Sequence, residues 1–213
     1  MNKFVFFVLL AAIAANALTL EQVRSGLKES FIASDSVEIG VKTTVSSSVM
    51  SSPQTVTVFF VRKGPTKFYS EIKMPLMNQR TIVNNDRMKT IDLSTRKSQV
   101  VPYNGESLKA MSYANFNPLD SGVWQEPVFV SEDLYSITGE KGTLYYDSKR
   151  KRIEKVVSEK GEKYVQTTFE YDATNNLKTM KIVVESAELK TTILTEILKL
   201  RHSRNFSDKL FEF

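Results

Sequence analysis

The chain has no cysteine and a single histidine among its 213 residues. Without cysteine there can be no disulfide staple, no lipidated cysteine anchor and no thiolate zinc site, so the fold must rest on its core alone. His202, in Lys199-Leu200-Arg201-His202-Ser203, is the one imidazole that could serve a Ser-His-Asp site. No Gly-x-Ser-x-Gly elbow accompanies it, and its simpler reading is an exposed side chain at a strand end. Phosphate-binding loops are missing as well: Gly139-Glu140-Lys141-Gly142 joins two β-runs with no helix N-terminus after it. The oxygen-rich stretch Asp172 to Asn176 has the spacing of a hairpin turn rather than of a calcium loop. No metal or cofactor is expected, and the chain reads as a non-enzyme. Charge of one sign is scarce too: the net charge of +5 is spread along the chain, with none of the concentration of a nucleic-acid-binding face.

Long apolar runs are equally rare. Phe4 to Ala14 is unbroken but too short to stay in a bilayer as a spanning helix. Lys3 precedes it, and Ala15-Asn16-Ala17 places small residues where signal peptidase inspects them. Residues Met1 to Ala17 are therefore expected to be a cleaved export signal. Leu18 to Phe213 would then be a single soluble domain outside the cytoplasm, with a net charge of +4 once Lys3 is gone.

What is present is patterning. Thr19-Leu20-Glu21-Gln22 is a capping box, with Leu18 and Val23 placed as a hydrophobic staple. Leu20, Val23, Leu27 and Phe31 follow at helical spacing, while Glu21, Arg24 and Lys28 fall on the opposite face. From Val37 to Pro102, and again from Asp133 to Leu200, short β-rich runs alternate with turn residues such as Gly64-Pro65-Thr66 and Asn84-Asn85-Asp86. Such short connections predict hairpins and an antiparallel sheet. Between the two series, Leu108 and Met111 lie at helical spacing in a segment ending at Asn117-Pro118. Along the strands one face is apolar and one wet: Phe68, Ser70, Ile72 and Met74 oppose Tyr69, Glu71 and Lys73. About eleven strands with one greasy face should curl into an unclosed antiparallel β-barrel, with the helical segments as lids over its apolar concave face. The densest charge, Lys149-Arg150-Lys151-Arg152, reads either as a solvated hairpin tip or as a docking patch for an acidic partner or anionic membrane.

The order of these pieces resembles the periplasmic outer-membrane lipoprotein carriers, the LolA-like family. The pieces are a leading amphipathic helix, the turn Arg62-Lys63-Gly64-Pro65-Thr66-Lys67-Phe68 and the Asn-rich hairpin Val83 to Leu93. Lid helices and closing hairpins complete it. The resemblance implies an apolar cup that shields lipoprotein acyl chains on the way from the inner towards the outer membrane. On that reading Leu20, Val23, Leu27 and Phe31 line one lid, Leu108 and Met111 the other, and Phe60, Phe68, Ile72 and Met74 the cup. The family's gating arginine matches Arg62 or Lys63; the extra Gly64 before Pro65 leaves both open. Implied partners are lipoprotein or lipid acyl chains, an inner-membrane ABC-type lipoprotein-releasing complex and an outer-membrane acceptor, met by a monomer that binds no nucleic acid. The alternative is an envelope module of the same fold that senses lipid or presents a surface to a protein partner.

Overall fold

The computed structural model describes residues 18–30, 36–104, 118–120, 122–203 and 205–213. The expected signal Met1 to Ala17, together with Phe31, Leu108 and Met111, lies outside them.

Helix α1 (Leu20–Ser30) begins as its sequence dictates. The Thr19 N–H donates to Gln22 Oε1 at 2.8 Å and the Gln22 N–H to Thr19 Oγ1 at 3.2 Å, which closes the capping box. A distant residue adds to the cap: Glu126 Oε2 accepts from the Leu20 N–H at 2.9 Å, placing a carboxylate at the positive end of the helix.

Among the described residues, thirteen strands make one antiparallel sheet. They are β1 (Ser36–Ser47), β2 (Gln54–Lys63), β3 (Lys67–Met74), β4 (Met77–Asn84), β5 (Arg87–Asp92) and β6 (Ser98–Pro102), followed by β7 (Val128–Ser131), β8 (Leu134–Gly139), β9 (Gly142–Asp147), β10 (Arg152–Lys160), β11 (Lys163–Tyr171), β12 (Leu177–Glu185) and β13 (Lys190–His202). The strand that patterning missed is β7, four exposed residues behind Pro127. Turn chemistry follows the residues: Asn85 and Gly64 both take positive φ, 57° and 63°, in the β4–β5 and β2–β3 hairpins.

Across the sheet the order is β6-β5-β4-β3-β2-β1-β13-β12-β11-β10-β9-β8-β7. Every neighbour is a hairpin partner except β1 and β13, which join the two halves from Val37↔His202 to Ser47↔Thr191. The edges β6 and β7 do not pair, so the barrel stays open.

Register fixes the faces. Directly opposed pairs carry Ile137 through Leu144, Val156, Thr167, Ile182 and Ile193 to Val45. On the other half, Ile39 pairs with Phe60, and Phe68 with Val83. This is the inner face, on which α1 lies: Leu20, Val23 and Leu27 are buried against Ile137, Leu144, Tyr146 and Ile153, joined by Leu119. Such side chains each contribute roughly 1.5–3 kcal/mol of burial. Gly26 permits the close approach, since a Cβ there would strike the Tyr146 hydroxyl.

Candidate functional site

The inner face divides into three parts. Beneath α1 it is closed and packed. Leu20, Val23 and Leu27 face the sheet in that cluster, with Trp124, Val156 and Phe169 around it. On the other half, Val37, Ile39, Phe60, Phe68 and Val83 form a second buried cluster, with the Phe60 and Phe68 rings 6.0 Å apart. Between them lies a broad band of inner-face side chains that are only half-buried: Val45, Val58, Ile72 and Met74 on one side, Ile182 and Ile193 on the other. Thr43 and Thr195 interrupt it and bond each other at 3.2 Å, so their hydroxyls are already satisfied.

Of the expected cup residues, Phe60 and Phe68 sit in the packed cluster, while Ile72 and Met74 lie on the open band of the same face. The contributions of β12 and β13 were missed. The sequence of β13 carries two doublets, Ile193-Leu194 and Ile197-Leu198, and β12 the run Ile182-Val183-Val184, none of which assigns a face until the pairing with β1 is known.

Arg62 and Lys63 separate cleanly. Arg62 is opposed by Val37 and Phe68 and half-buried on the inner face; by the same register Lys163, at the start of β11, is exposed on that face too. Lys63 points to the outer face, where its Nζ donates to Phe206 O at 2.9 Å and pairs with Asp208 at 3.0 Å. Lys67 reaches the same carboxylate at 2.6 Å, and these two ammonium groups, Lys67 first, hold Asp208 below the usual carboxylate range. The C-terminal segment closes a third cluster there: Phe206 and Phe211 are buried on Val61, Tyr69 and Ile82.

The rest of the outer face is polar. Lys42 pairs with Glu196 at 3.2 Å, and Glu38 with both Lys199 at 2.7 Å and Arg201 at 2.8 Å. Tyr69 donates to Glu71 at 2.5 Å while Arg80 holds the same carboxylate at 2.7 Å. Burial and the Glu71 carboxylate push the Tyr69 phenol up to about 12. Burial opposes the charged form of Glu71, yet these donors hold its carboxyl below the ordinary value.

The basic run is partly built into the fold. Arg150 pairs with Asp147 at 3.0 Å; Arg152 pairs with Glu154 at 2.7 Å and lies 4.3 Å over the Tyr171 ring. Lys149 and Lys151 remain exposed. His202 stands exposed at the end of β13, opposite Val37. Among the described residues no group of His, Asp or Glu is arranged to hold a metal ion, and no helix is long and apolar enough to cross a membrane.

No protein-family model matches the chain, and no curated protein matches its sequence. Solved structures do match its shape. A LolA superfamily protein from Nitrosomonas europaea superposes with a TM-score of 0.54 at 14% identity, over 92% of this chain and 99% of that one. A putative outer membrane lipoprotein-sorting protein domain from Vibrio parahaemolyticus gives 0.50 at 8% identity, over 89% and 94%. At these identities the likeness is one of fold, and at that level the resemblance read from the sequence holds.

Proposed function

We propose that the chain is a non-enzymatic periplasmic carrier. It holds the acyl chains of a lipoprotein, or of a related lipid, on the inner face of its open barrel and conveys them from the inner towards the outer membrane. The observation that supports this reading is the half-buried band of uncharged, mostly apolar side chains between two packed clusters, with Arg62 on the same face among the residues of the second cluster. Covering that band with acyl chain returns roughly 0.8 kcal/mol per methylene, so a dozen methylenes supply on the order of 10 kcal/mol before ordering costs. That is enough to hold a lipid and little enough to release it. Arg62, rather than Lys63, is the basic group placed to meet the polar end of such a cargo. Export by the Met1 to Ala17 signal, loading by an inner-membrane complex and delivery to an outer-membrane acceptor belong to the same reading.

Photo-crosslinkers at Ile72, Met74, Ile182 and Ile193 test it in cells. Adducts with lipid or lipidated protein are expected at these positions, with none at outer-face Lys42 or Glu196. Protein that emerges ligand-free by native mass spectrometry, and without adducts, overturns the reading.

A further inference from the structure

One row of the inner face breaks with its apolar lining. Next to the buried Phe60, directly opposed positions carry Ser70, Thr81, Thr90 and Gln99 on β3, β4, β5 and β6 in turn. The row on one side of it is apolar over the same strands, from Phe68 and Val83 to Met88 and Val101. On the other side Ile72 is followed by Gln79 and Asp92. Exposure grows along the polar row: Ser70 is 4% exposed, Thr81 and Thr90 are half-buried, and Gln99 stands in water on the unpaired edge. Three strand spacings make the row roughly 14 Å long.

Its hydroxyls are placed differently from those at the centre of the sheet. There Thr43 bonds Thr195, and Thr191 bonds Ser47 at 3.3 Å, so the threonines satisfy one another. Thr81 instead accepts from Gln79 Nε2 at 3.2 Å and keeps its own proton to donate. Asp92 is turned to its own hairpin, where Oδ1 accepts from the Ser94 and Thr95 N–H groups at 2.8 and 2.9 Å. The row therefore offers uncharged donors and acceptors. Its direction matters as much as its chemistry. Acyl chains on the half-buried band would find one way across the sheet shut by α1, which is packed on Ile137, Leu144, Tyr146 and Ile153 of β8 to β10. The other way runs along the polar row to the open edge.

We propose that Ser70, Thr81, Thr90 and Gln99 form a subsite for the polar head of the cargo and lead it out over β6. The head would be uncharged along this stretch and rich in ester or amide groups. The glycerol ester of a lipid and the backbone of a lipidated peptide share that chemistry, and about four extended residues would span the row. This proposal rests on the carrier reading and adds the residues that recognise what the acyl chains are attached to.

Displacement of Nile red from the purified protein tests it with three ligands of matched tail: undecane, monolauroylglycerol and N-lauroyl-tetraglycine amide. The parent should bind both headed ligands more tightly than undecane. Thr81→Val with Thr90→Val, which keeps side-chain shape, should weaken one or both headed ligands about tenfold while undecane and the thermal transition stay as they were. A loss confined to the peptide amide assigns the row to lipidated peptide, and one confined to the glycerol ester to free lipid. Gln99→Ala, at the exposed edge, should weaken the peptide amide or the ester about threefold. Thr179→Val, on the outer face of β12, should change nothing. The proposal is overturned if the double variant binds both headed ligands as the parent does, or loses undecane to the same extent. Undecane binding with no effect of the double variant strikes the polar row alone, whereas a parent from which none of the three displaces the dye overturns the carrier reading with it.

Discussion

A methyl group added at Gly26 would collide with the Tyr146 hydroxyl, so the usual gain of about 0.5–1 kcal/mol for alanine over glycine inside a helix should reverse there. Gly26→Ala is expected to destabilise the protein in denaturant titrations and to shift the fluorescence of Trp124, the only tryptophan, which packs on the α1 cluster. Combined with Tyr146→Phe, which removes the colliding atom, it should cost less than the two single changes summed. Asp208 makes a prediction of a different kind. Because Lys67 and Lys63 depress its carboxyl in the folded state, its contribution is present above the unfolded pKa of about 3.9 and is lost as pH falls through the lower folded value. Asp208→Asn should therefore melt earlier than the parent at neutral pH, with the gap closing in acid. At this scale the sequence was legible wherever chemistry is local. Thr19 and Gln22 declared their cap three residues apart, whereas Arg62 and Lys63, adjacent in sequence, fall on opposite faces that only strand register assigns.

Helix α1 and the C-terminal segment fasten opposite faces of the sheet through clusters that share no residue. Leu27→Ala should cost about 2–5 kcal/mol and Phe211→Ala about 3–5 kcal/mol, read from denaturant midpoints. Their double variant should be additive to within about 0.5 kcal/mol, as for sites with no common partner. The helix could be read in advance because Leu20, Val23 and Leu27 repeat with its turn. The C-terminal clasp could not: Phe206 and Phe211 fit neither helical nor strand spacing, and their partners Val61, Tyr69 and Ile82 occupy the wet face of strands whose other side is apolar. Strand β7 escaped for a related reason, since four residues give too short a run to show a period.

For the whole molecule, the turn residues gave away a meander of hairpins, but the joint between β1 and β13 links the start of the sheet to its end and leaves no local trace. That joint is the longest pairing and lies farthest from either edge, whereas β6 and β7 have one partner each. Native-state hydrogen exchange should accordingly be slowest for amides of β1 and β13 and fastest along β6 and β7. The joint also sets an order of assembly. The six hairpin-linked strands from Ser36 to Pro102 can form as soon as they are made, yet the bonding edge of β1 stays empty until Lys190–His202, seven strands later in the chain, leaves the ribosome. Throughout that interval an early half-sheet offers a long adhesive border, so the chain has reason to be kept extended or chaperoned until its final strand arrives.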